Sequence, residues 1–111
     1  MSDVEVLRRQ LKIKSGVAKR LFKEHQSYEK EAEDQQIKLD KLIAEQGEEW
    51  YIKNARNMLE ESKKLIKDTS DRFGNAVQDL RDTILVAKQK EELAEDEELL
   101  KAEEALETVS V

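Results

Sequence analysis

Apolar residues along this chain recur at alternating spacings of three and four. The first series reads Val4, Leu7, Leu11, Lys14, Ala18, Leu21, His25, Tyr28, Ala32, Gln35, Leu39 and Leu42, and nine of its twelve positions are apolar. Residues three and four apart share one face of an α-helix, so the series predicts a helix over about residues 3–46, a rod of roughly 60–65 Å. Gly47 follows the last periodic residue, where glycine commonly supplies a left-handed cap. A second series runs Ile52, Ala55, Leu59, Ser62, Ile66, Thr69, Phe73, Ala76, Leu80, Thr83 and Ala87, with eight apolar positions in eleven. It predicts a helix over about residues 49–89. Met58, Leu65, Val77 and Ile84 lie beside this series and widen the stripe, as in a helix that touches two neighbours. Gly74 costs about 1 kcal/mol relative to alanine inside a helix and marks a candidate bend. A third, shorter pattern of Leu99, Ala102, Leu106 and Val109, with Leu93 and Leu100 alongside, predicts a helix over about residues 93–109. Its first turns are full of glutamate, which the helix dipole favours.

The two long rods are joined only by "EQGEEWY", and so short a connection folds consecutive helices back antiparallel. The third helix then returns along the C-terminal half of helix 2, beside the N-terminal half of helix 1. The expected fold is all-α: an elongated, antiparallel three-helix bundle resembling a spectrin repeat, with two long helices and one shorter, forming a single domain over residues 1–111. Trp50 and Tyr51 at the turn are expected to staple the start of helix 2 against the end of helix 1. Exposed at the tip, they would instead mark a second contact point.

Composition agrees with long helices. Charged residues make up 41% of the chain, proline is absent, glycine numbers three and aromatics reach 5%, which is the profile of long-helix and coiled-coil proteins. Disorder is the competing reading of so much charge, and the periodicity excludes it. Cysteine is absent, which removes disulfides and thiolate metal sites. "MSDVEVLRRQ" lacks the cationic start and apolar run of a secretory signal, and no stretch approaches the roughly 18 apolar residues that span a bilayer. A cytoplasmic protein without a membrane partner is expected. The net charge of −6 argues against nucleic acid, whose binding is driven by neutralising phosphates.

That charge is unevenly spread. Residues 1–23 hold seven cations (Arg8, Arg9, Lys12, Lys14, Lys19, Arg20, Lys23) against Asp3 and Glu5, whereas residues 91–107 hold nine acids against Lys101 alone. The stretch "KIKSGVAKRLFKE" decides what the cations form. With Lys12 at zero and about 100° per residue, Lys19, Lys23, Arg8, Arg9 and Arg20 fall between about −40° and 80°, with Gly16 in their midst. Val17, Leu21 and Leu11 take the opposite arc. The stretch is therefore an amphipathic helix with a cationic outer face notched at Gly16. A phosphate cradle would need a strand, a second glycine and a lysine followed by Ser or Thr, none of which is present. A nucleic-acid patch would need interleaved aromatics for base stacking. A merely solvated face, with some cations pairing with helix 3, explains most of the charge. It does not explain Gly16, because glycine in a helix interior costs about 0.5–1 kcal/mol against alanine. Its missing side chain would let a partner approach closely. Lys14 points toward the apolar side, where its stem can lie along the core while the ammonium reaches an acid or water.

Catalytic chemistry finds no support. The chain has one histidine and no cysteine, and its serines lack a paired base. His25 falls in the core series and is expected to be hydrogen-bonded or edge-facing. A di-iron bundle would require Glu-x-x-His on two helices, but Phe22 stands three residues before His25. No enzyme, cofactor, metal site or catalytic residue is expected.

The segments "LKIKSGVAKRLFKE", "YEKEAEDQQIKLDKLIAEQGE" and "IKNARNMLEESKKLI" together resemble the tubulin-binding cofactor A family, small helical chaperones of β-tubulin. The similarity runs in order over nearly the whole chain and is densest in Lys12–Glu24 and Tyr28–Ala32. The resemblance implies a three-helix bundle that holds β-tubulin apart from α-tubulin during folding and heterodimer assembly. It implies a cytoplasmic, cytoskeleton-associated role without nucleotide hydrolysis, with other tubulin-folding cofactors as further candidate partners. Family members often carry a proline in mid-helix 2 where this chain has Lys67, and an aspartate cap where it has Tyr51. Tubulin is acidic, so cations would steer encounter and set orientation, and Lys12, Gly16, Lys19, Arg20 and Lys23 are the expected partner-binding residues. The rival reading is a structural coiled-coil adaptor that self-associates through the same heptads and binds an unrelated protein. Monomer and homodimer are both compatible with the sequence.

Overall fold

The computed structural model describes residues 2–110; Met1 and Val111, the ends of the expected domain, lie outside the described residues. Three α-helices, α1 (Asp3–Ala44), α2 (Glu49–Lys88) and α3 (Glu97–Val109), account for nearly all of these residues, with a single 3-10 turn at Glu91–Leu93. No strand occurs among them, and the chain is an all-α, antiparallel three-helix bundle. Its contacts divide it into two compact units. One joins the residues up to Lys23 with those from Arg72 onward, and the other is Glu24–Asp71.

The first unit contains all of α3. Leu7, Leu11 and Ala18 of α1 meet Leu80, Ile84 and Ala87 of α2 and Leu93, Leu99, Ala102 and Val109 beyond it. Phe22 and Phe73 close one end, their ring centroids 5.6 Å apart. Packing of this kind is what the three-four spacing supplies, since each apolar residue lands on the same face as the next.

The second unit has two helices. Leu39, Ala55 and Leu59 form its core, with Ala32, Leu42 and Ile52 half-buried against them. Two polar layers extend the seam: the Ser62 hydroxyl donates to Gln35 Oε1 at 2.6 Å, and His25 Nδ1 lies 3.2 Å from Thr69 Oγ1. Pairs that climb α1 descend α2, so the helices are antiparallel here. Ser62 and Thr69 are buried, and hydrogen bonding is what makes polar groups tolerable in such positions.

Several expectations about the helix ends need correction. Helix α1 stops at Ala44, and Gln46, with φ of 52°, takes the left-handed place assigned to Gly47. The Gln46 N–H donates to the Ile43 carbonyl at 3.1 Å and the Gly47 N–H to the Leu42 carbonyl at 2.8 Å, the paired bonds of a Schellman cap. Glycine serves one residue later than expected, where the chain crosses its own last turn. A Cβ on Gly47 would sit 3.2 Å from the Leu42 carbonyl oxygen. At the other end, α3 begins at Glu97 rather than near 93. Asp96 caps it, accepting a hydrogen bond from the Glu98 N–H at 2.9 Å, while Leu93 is fully buried in the preceding 3-10 turn. Helix α2 is continuous through Lys67 and Gly74.

The expected aromatic staple is absent. Trp50 and Tyr51 are 67% and 52% exposed and pack edge-to-face on each other at 4.9 Å. Ile52 and Leu42 provide the apolar contact at this turn instead.

Nor does the widened stripe on α2 behave uniformly. Val77 and Ile84 each follow a core position and pack into the cluster that α3 completes, whereas Met58 and Leu65 each precede one and are exposed. The two pairs lie on opposite flanks of the helix.

Candidate functional site

The N-terminal half of α1 presents a buried face and a cationic one. Leu11, Ala18 and Leu21 are buried, while Lys12, Gly16, Lys19, Arg20 and Lys23 are all exposed. This division follows from the helical period alone, since residues seven apart lie nearly in line and those two apart do not.

The cations of this region fall into distinct roles. Arg8 Nε donates to Asp96 Oδ2 at 2.6 Å, tying α1 to the start of α3. That hydrogen bond is the main reason the Asp96 carboxyl lies below the usual carboxylate range. Burial opposes it, and the Glu98 N–H adds to it. Lys14 runs along the core and reaches Asp79 Oδ1 at 3.0 Å and Thr83 Oγ1 at 2.9 Å, so its ammonium finds the acid its position required. Arg20 is exposed but already engages a neighbouring group. Arg9, Lys12, Lys19 and Lys23 have no acidic group within ion-pair distance among the described residues. Internal structure uses none of these four cations, and Lys12, Lys19 and Lys23 are the ones that surround Gly16.

Gly16 sits among them with open space around it. A Cβ built on Gly16 would meet nothing within 4 Å, so no contact inside this structure requires glycine. The notch is a property of the outer surface.

His25 is held at the edge of the seam, with Nε2 2.7 Å from Glu29 Oε1 and Nδ1 facing Thr69. Among the described residues, no group of three or more His, Cys, Asp or Glu side chains is placed to hold a metal ion, and no helix is long and apolar enough to cross a membrane.

The sequence reading missed that the two flanks of α2 differ. The signal lay in register: an apolar residue just after a core position faces α3, and one just before it faces away. Tyr51, Met58 and Leu65 are all of the second kind, and all are exposed.

Comparison with known proteins bears on what this arrangement serves. The family model for tubulin binding cofactor A matches residues 6–106. The chain belongs to this family. The rat tubulin-specific chaperone A is 41% identical over 111 residues, covering 100% of this chain and 98% of that protein. The chicken tubulin-specific chaperone A is 44% identical over 103 residues, covering 93% of each chain. Among solved structures, human tubulin chaperone cofactor A superposes with a TM-score of 0.80 at 39% identity, covering 95% of this chain and 99% of its own. Tubulin folding cofactor A from Arabidopsis thaliana gives a TM-score of 0.85 at 31% identity, covering 96% and 97%. The tubulin binding cofactor A fold is thus shared over almost the full length, and the cationic face of α1 and the capped start of α3 are features of a member of that family.

Proposed function

We propose that this chain is a tubulin-folding chaperone that captures β-tubulin intermediates and holds them before they join α-tubulin in the heterodimer. It acts in the cytoplasm beside the cytoskeleton and alongside other tubulin-folding cofactors, and it works by binding, with no bond made or broken. The observation that carries the reading is the surface of α1. Lys12, Lys19 and Lys23 are exposed and without acidic partners among the described residues, on a face notched at Gly16 for no internal reason. An acidic partner meets complementary charge there, which raises the rate of productive encounter and fixes orientation. Lys12, Gly16, Lys19, Arg20 and Lys23 form the proposed contact, with the missing side chain of Gly16 admitting the partner close to the helix.

Co-purification tests the partner directly. The tagged chain, drawn from a cell lysate, is expected to bring down β-tubulin in excess over α-tubulin. Equal amounts of the two would indicate binding to assembled heterodimer and contradict capture of β-tubulin before assembly, and recovery of no tubulin at all would contradict the proposal outright.

A further inference from the structure

The two-helix unit, Glu24–Asp71, is built differently on its two flanks. On one flank the positions that follow core residues are Glu29, Gln36, Arg56, Lys63 and Ser70, all exposed and polar, with Ile43 the apolar exception. Water covers such a flank without cost. On the other flank α2 carries Tyr51, Met58 and Leu65, which are 52%, 45% and 43% exposed. Seven residues are about two helical turns, so the three side chains form a line of roughly 20 Å. Beside Met58 lies a groove of about 150 Å³ lined by Ala55 and Gln35, with Glu31, Asp34 and Lys38 on the α1 side. A second depression next to Leu65 is bounded by Glu61, Lys64 and Asp68. Acids thus outnumber lysines around both.

A helix whose sequence polarises one uncovered flank and leaves the other apolar has an occupant for the second. The form of that occupant follows from the surface. Every backbone group in mid-α2 is bonded within its own helix, so no edge is offered to a strand. A straight line of anchors seven residues apart matches the face of another helix, which repeats on the same spacing. In the other unit α3 shows such a fit, laying Leu99 and Ala102 into the cluster that contains Val77 and Ile84. The acidic surround favours a visitor with basic residues beside its apolar stripe.

We infer that the line Tyr51–Met58–Leu65 seats a basic amphipathic α-helix of the tubulin client. Apolar residues of that helix pack on Met58 and Leu65, one of them entering the groove above Ala55. Its lysines and arginines face Glu31, Asp34 and Glu61. The inference rests on the proposed function, and it assigns to the client a second contact opposite in sign to the one at Lys12, Lys19 and Lys23.

The test places the photo-cross-linking residue benzoylphenylalanine at position 58 of the full chain, adds purified tubulin dissociated into subunits, irradiates, and sequences the adducts. Adducts on a tubulin helix with lysine or arginine beside its apolar stripe are expected. Adducts on an acidic segment, on a loop or on a second copy of this chain would overturn the inference. In parallel, Met58→Glu with Leu65→Glu is expected to weaken tubulin binding by about tenfold or more with unchanged far-ultraviolet dichroism, and undiminished binding would overturn it. Should the wild-type chain take up no tubulin, the proposed function fails, and the groove is decided separately. A synthetic helical peptide with leucines at heptad spacing flanked by lysines is titrated by fluorescence anisotropy, where binding by the wild type but not by the double variant supports the site and no binding removes it.

Discussion

At Gly16 an added methyl group meets nothing within 4 Å, so alanine there gains helix propensity without a clash. Gly16→Ala is expected to raise the unfolding free energy by about 0.5–1 kcal/mol in urea denaturation. Gly16→Trp should fold as well yet impair tubulin capture, and capture by the tryptophan variant at the wild-type level would show that the notch admits nothing. Asp96 behaves as both cap and ion-pair partner, accepting from Glu98 and Arg8. Asp96→Ala is expected to cost about 1 kcal/mol through loss of the cap. Asp96→Asn keeps a capping oxygen and loses the charge. Because the folded carboxyl lies below its ordinary value of 3.8, the charge contributes stability above that value, and the contribution disappears as pH falls through the lowered folded one. The stability gap between wild type and Asp96→Asn should therefore be present at pH 7 and narrow as acid is added, with a constant gap contradicting the ion pair. Which cations face outward was legible in the sequence, since a helical wheel separates Lys12 and Lys19 from Leu11 and Ala18. The particular acids that Arg8 and Lys14 reach were not legible, because Asp96 and Asp79 arrive from distant parts of the chain.

Helix existence follows from periodicity, whereas helix ends follow from local hydrogen bonds that periodicity does not contain. The stripe from Val4 to Leu42 required a helix, but the left-handed residue at Gln46 depends on how the next peptide crosses the Leu42 carbonyl. Likewise Leu93 fits the apolar pattern of α3 yet belongs to the 3-10 turn, because Asp96 caps the helix three residues later. Leu93 is fully buried and ties that turn to the core. Leu93→Ala should cost about 2–5 kcal/mol and hasten amide exchange over Glu97–Val109 more than elsewhere. Uniform acceleration would mean that the turn does not anchor α3 separately. The length of α3 is itself recorded in α2. Along α2 the positions on the α3 flank are apolar at Val77 and Ile84, in the unit that contains α3, and polar at Arg56, Lys63 and Ser70, in the unit that lacks it.

At the scale of the whole molecule, the two units differ in what holds them. The unit with α3 buries Leu11, Leu80, Leu93, Leu99 and Ala102 almost completely, while Glu24–Asp71 relies on Leu39, Ala55 and Leu59 with the polar layers at Ser62 and Thr69. Local opening tracks buried apolar contact, so native-state hydrogen exchange is expected to be faster across Glu24–Asp71 than across α3 and the helices beside it. Equal protection would contradict the division. The family resemblance was legible in the order of three segments, and the polar and apolar flanks were legible only once the register had been fixed by the structure. The most direct measurement of the central claim is the affinity of purified β-tubulin for the wild-type chain and for Lys19→Glu with Lys23→Glu, taken at low and moderate salt. The charge-reversed chain should keep its helicity and lose binding, and the wild type should weaken as salt rises. Undiminished binding by the variant at moderate salt would contradict the assignment of this face.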